Sequence, residues 1–133
     1  MTITEKMYAV MSAETAITDL VPATRILTPG PWQNIARPYI IHFPVALQPT
    51  IVHGSHAALK MWDFYQVSVF ADSYPQGDAV AAALVATLPG NYDGVEVMLS
   101  AGTTYYEGQR PLDERATTQS FHFVVEFRIA EAL

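Results

Sequence analysis

At 133 residues, half of them hydrophobic, the chain has the size of one compact domain, and residues 1–133 are expected to form that single domain. Folding at this length buries roughly 65–70% of the unfolded surface, so a core needs no metal or disulfide, and the absence of cysteine excludes disulfides, thiolate nucleophiles and Cys-type zinc sites together. Thirteen acidic against seven basic side chains give net −6, which repels a phosphate backbone and argues against nucleic-acid affinity through counterion release.

No apolar run nears the ~20 residues of a membrane helix, and Met1-Thr2-Ile3-Thr4-Glu5-Lys6 lacks the basic-then-apolar order of a secretion signal, so a soluble, unprocessed chain is expected. Met7, Val10, Met11, Ile17 and Leu20 fall on one helical face between Thr4, the expected N-cap, and Pro22. Ser12 and Thr15 favour caps and turns, leaving open one rod or two short helices with a bend. A short strand, Thr24-Arg25-Ile26-Leu27, precedes the loop opened by Pro29-Gly30-Pro31, and Pro38 to Phe43 reads as a β-branched and aromatic strand. Val45 to Lys60 holds two strand fragments, Val45-Ala46-Leu47 and Thr50-Ile51-Val52, around Pro49, and reads as a long hairpin excursion.

Phe64 to Asp72 is the clearest strand: Tyr65, Val67, Val69 and Ala71 share one face, and apolar residues on both faces predict a central position. Pro75 and Asp78 open a helix whose stripe is Val80, Leu84, Val85 and Leu88, its alanines keeping it slim enough to lie close on a sheet until Pro89-Gly90 stops it. Tyr92 to Leu99 and Ser120 to Ile129 alternate as half-buried strands, separated by an excursion from Ser100 to Thr118 that exceeds most connections. The predicted class is α+β: a mostly antiparallel, mixed sheet of about five strands with one crossover and two helices on one face.

Chemistry finds little support. His53 and His56 lie three apart but lack a third metal ligand, and Asp113-Glu114 between Arg110 and Arg115 reads as a charged loop with local ion pairing. No serine sits in a Gly-x-Ser-x-Gly context and no glycines form a phosphate-cradling run. An unrelated ligand-binding or enzymatic domain would have only His53, His56, Asp113 and Glu114 to work with, so no catalytic residue, cofactor or metal is expected. Trp62, Tyr92, Tyr105 and Tyr106 fall at strand ends or in the long excursion, where buried packing and partner contact fit equally.

The order of elements carries a resemblance. The N-terminal helix ending near Leu20-Val21, then Thr24-Arg25-Ile26, Arg37-Pro38-Tyr39-Ile40-Ile41, Tyr65-Gln66-Val67-Ser68-Val69-Phe70-Ala71-Asp72, the helix 78–88 and the terminal Phe121-His122-Phe123-Val124-Val125-Glu126-Phe127 resemble the tail-completion, or tail-terminator, proteins of long-tailed bacteriophages and gene-transfer particles. The resemblance spans nearly the whole chain and implies a non-enzymatic virion protein, assembled in the host cytoplasm and located at the head–tail junction. It implies a homohexameric ring that caps the tail tube, ends its polymerisation and meets a head-side connector or stopper, with DNA passing through the lumen. Another head–tail joining or tail-tube subunit is the alternative. Six copies would carry about −36, a field that keeps DNA from sticking to the wall.

A closed head-to-tail ring needs two different complementary patches on each subunit, which the excursions could supply. The candidate subunit or partner contacts are Gln48, His53, His56, Lys60, Trp62, Tyr105, Tyr106, Arg110 and Arg115.

Overall fold

The computed structural model describes residues 2–46, 48–53, 58–106 and 121–132. Its first helix, α1 (Ile3–Ala13), starts earlier than expected because Ile3 joins Met7 and Met11 in one buried stripe, so Thr2 rather than Thr4 is the cap, accepting from Glu5 N at 3.2 Å. Glu14 is extended (φ −87, ψ 110), which makes the bend and separates α2 (Thr15–Thr18). Ile17 and Val21 carry the apolar stripe onward, both fully buried.

Among the described residues, seven strands form one sheet: β1 (Ile26–Leu27), β2 (Tyr39–Pro44), β3 (Thr50–His53), β4 (Ala58–Ala71), β5 (Gly90–Tyr92), β6 (Val95–Tyr106) and β7 (Phe121–Ala132). The lateral order is β1-β2-β4-β7-β6-β5, with β3 also on β4; only the β1–β2 pair is parallel. The sheet therefore exceeds the expected five strands. One addition is β3, a fragment within the excursion, and the other is β5, which lies where a helix stop was read because Gly90 turns directly into a hairpin whose Gly94 adopts φ +74.

Two strands also run further than their alternation suggested. β4 begins at Ala58 and β6 continues to Tyr106, each through an irregularity in register, between Trp62 and Tyr65 and between Leu99 and Gly102. A bulge shifts the inward-outward alternation, and a period-two reading ends where the alternation breaks. The two irregularities meet β7 at neighbouring positions, that of β4 opposite Phe127 to Ile129 and that of β6 opposite Glu126 and Phe127.

β4 occupies the centre of the sheet as expected, with Tyr65, Val67, Val69 and Ala71 all fully buried. One core joins Ile3, Met7, Met11 and Ile17 with Val80 and Leu84 of α3 (Tyr74–Thr87) and with Val69, Phe123, Val125 and Phe127 of the sheet. Ser73 caps α3 by accepting from Gln76 N, and Gln76 Oε1 answers by accepting from Asp72 N at 2.7 Å.

The approach of α3 to the sheet depends on Gly77, because a Cβ there would stand 2.3 Å from Phe123 Cε1. Phe123 is buried and ringed by Tyr74 and Tyr105, which leaves it little room to move. Gly77→Ala is expected to destabilise the fold by about 1–3 kcal/mol through overpacking, against the ~0.5–1 kcal/mol that alanine normally contributes inside a helix. Urea unfolding measures this, and equal or higher stability would contradict the close contact.

Candidate assembly surface

Four of the candidate contacts lie on long strands, Lys60 and Trp62 on β4 and Tyr105 and Tyr106 on β6, where their surroundings differ. Trp62 is half-buried and its Nε1 donates to Glu131 Oε1 at 3.2 Å, while Lys6 of α1 makes an ion pair with Glu131 Oε2. Lys60 lies directly across from Glu131 on the neighbouring strand. Burial works to raise the Glu131 carboxyl, but hydrogen bonds from Lys6 and Trp62 and the charges of Lys6 and Lys60 outweigh it and hold the group below the usual carboxylate range. This cluster ties α1 to the end of β7.

Tyr105 faces the helix-covered side, edge-on to Tyr74 at 4.9 Å and against Phe123 at the same distance. Tyr106 points to the opposite side and stacks on His122 at 5.3 Å. His122 stacks in turn on Phe70 at 4.4 Å, and Phe70 on Tyr39 at 5.0 Å. Four directly opposed residues of β6, β7, β4 and β2 thus form a stacked row across the sheet on the face away from the helices.

Gln48 is exposed before β3, and His53 is exposed at its end. His56, Arg110 and Arg115 lie outside the described residues. The charged segment Asp113-Glu114 does so too, so the structure brings Trp62 and Lys60 together at Glu131 but leaves the remaining candidates spread along the strands.

Several exposed apolar residues were not among the candidates. Ile51 and Val52 are consecutive in β3 and 46% and 43% exposed, so neither face of that strand is packed. Phe64 and Leu99 are exposed beside the two irregularities. The signal for β3 was present in the sequence: two adjacent β-branched residues in a fragment too short, between Pro49 and Gly54, to reach a core.

Two shallow grooves flank α1. One, of about 480 Å³, runs between α1 and the β5–β6 turn, and the other, of about 600 Å³, between α1 and β1 beside Trp32. Both are mostly apolar, and among the described residues no three His, Cys, Asp or Glu side chains are placed to hold a metal.

No protein-family model matches the sequence, and no curated protein matches it significantly. Among solved structures, the fold is similar to that of a chain in the structure titled "Virion of native gene transfer agent (GTA) particle", with a TM-score of 0.63 and 17% identity, over 98% of this chain and 95% of that one. The shared feature is the complete fold, since almost the whole of each chain superposes.

The core also encloses a polar pair that the sequence reading passed over. His42 Nδ1 lies 2.6 Å from the Tyr65 hydroxyl, both residues are fully buried, and His42 Nε2 has no hydrogen-bond partner among the described residues. Burial lowers the His42 imidazole to about 4, and burial likewise lowers His122 to about 4. Both rings are therefore neutral in the folded chain over a range where the unfolded chain, titrating near 6.5, binds protons. Their contribution is complete above pH 6.5 and is lost as pH falls towards 4; His42 alone accounts for about 3 kcal/mol of that loss. Urea unfolding between pH 7 and 4 is expected to show the decline, and His42→Phe with Tyr65→Phe should reduce it by about half, leaving the part that His122 contributes. An equally steep profile in that double variant would contradict the assignment to His42.

Proposed function

We propose that this chain is a structural subunit of a tailed particle, forming a homohexameric ring that caps the tail tube, ends tube polymerisation and joins the tail to a head-side connector. The observation that carries this reading is the agreement of the complete fold with a chain of a gene-transfer-agent virion, over 98% of this chain. The order of elements along the sequence points the same way independently of the fold comparison. Location in the virion at the head–tail junction, after assembly in the host cytoplasm, follows from the same reading.

The physical chemistry suits a DNA conduit that must not hold DNA. Net −6 per subunit makes the ring acidic, and a wall of like charge lets a phosphate backbone slide rather than stick. Such a subunit must meet its neighbours, and the proposed contact residues are Gln48, His53, His56, Lys60, Trp62, Tyr105, Tyr106, Arg110 and Arg115.

Light scattering coupled to size exclusion, with negative-stain imaging in the presence of tail tubes, tests the proposal. Six-fold rings located at tube ends are expected. A chain that stays monomeric and leaves tube ends bare would overturn it, and labelling along the whole tube would instead identify a tail-tube subunit.

A further inference from the structure

Resting on the ring reading above, we propose that neighbouring copies join by strand pairing, the free edge of β3 in one copy adding to the outer edge of β6 in the next. Each edge lacks a partner among the described residues. β3 pairs with β4 on one side only, and β5 covers β6 only from Val95 to Val97, leaving residues 98–106 unpaired on that side.

An unpaired strand edge is normally guarded by charge, proline or a covering element, because its free N–H and C=O groups template pairing with another chain. Neither Thr50–His53 nor residues 98–106 contains a lysine, arginine, aspartate, glutamate or proline. Every residue of β3 is exposed, and Ile51 and Val52 offer apolar side chains to both faces of whatever sheet the strand enters. On β6 the irregularity after Leu99 leaves Thr103 to Tyr106 as a regular run, as long as β3 itself.

Strand sense also fits. β3 is antiparallel to β4, β4 to β7 and β7 to β6, so β3 and β6 run in opposite directions. Repeating the subunit sideways then continues an antiparallel sheet without turning any copy over. Because the two edges differ, the contact is heterologous, the kind that closes rings.

Seating β3 on Thr103 to Tyr106 puts Val52 opposite Thr104 of the next copy and sets an offset. Within one copy Val52 is level with Leu59 and Ala132, whereas Thr104 pairs with Val124, eight residues away along β7. Eight residues correspond to about 26 Å along the strand. Four strand spacings of about 4.8 Å give about 19 Å across. The two together incline the strands by about 55° to the ring axis, steeper than the ~35–45° that most closed sheets adopt.

The chain has no cysteine, so introduced thiols report cleanly. Val52 and Thr104 both face away from the helices, being paired through Leu59 and Val124 respectively. With Val52→Cys and Thr104→Cys in the same chain, a short bismaleimide is expected to give a ladder of covalent multimers up to six. Mixing the two single variants should give dimers only, and Val52→Cys alone none. Ile51→Lys with Val52→Lys, at exposed positions, should weaken assembly at least tenfold while the monomer unfolds at an unchanged temperature.

Dimers from Val52→Cys alone would show β3 pairing with itself and overturn the proposal. Rings that form normally without the cross-link ladder, and survive the lysine substitutions, would overturn it while leaving the ring reading intact. A wild-type chain that is monomeric at every concentration would overturn both. A full ladder from a protein that ignores tube ends would uphold the strand pairing and remove only the capping role.

Discussion

The structure depends on β4 pairing along both of its edges. Its later half bonds β2, its earlier half bonds β3, and β7 runs beside almost all of it. Among the described residues no other strand pairs with three others, and a strand with both edges satisfied can bury side chains on both faces without stranding backbone groups. That is why Tyr65, Val67 and Val69 are sealed beneath the helices while Ser68 and Phe70 are also buried on the opposite face. The helices then need only one face of the sheet, and Gly77 sets how closely α3 can lie against it.

Polar groups admitted to this core have definite partners. Glu131 is buried with Lys6 and Trp62 reaching it from a helix and a strand, outweighing a desolvation that works to raise its carboxyl. His42 is handled differently: with only the Tyr65 hydroxyl beside it, the ring is kept neutral instead of being paired with a charge. Both arrangements anchor elements distant in sequence. Among the described residues, the surfaces left for other molecules include the strand edges and the grooves beside α1.

Strong periodicity made some elements legible. Met7, Met11 and Ile17 announced the first helical segment, Pro75 and the alanines announced α3, and the alternation of Phe121, Phe123, Val125 and Phe127 announced β7. Where pairing completes the element, side-chain pattern went only part of the way. Thr50-Ile51-Val52 was legible as a strand fragment, but its place in the sheet comes from the edge β4 offers, and the continuation of β6 from Ser100 to Tyr106 lies past a bulge whose extra residues erase the period. Trp62 was legible as a residue of consequence, but not as the donor to a carboxylate 69 positions away.

The sequence by itself determined the α+β class, the central strand, the faces of the helices, the acidic balance and the absence of thiol chemistry. Each of these is set by local period or by composition, which need no knowledge of what lies opposite. Only the tertiary structure decided the seven-strand order, the Glu131 and His42 clusters, the stacked row from Tyr39 to Tyr106, and which edges are left open. The physical reason is that register and edge exposure are relations between segments far apart in the chain. They are settled when backbone hydrogen bonds choose their partners, and no single segment carries that choice alone.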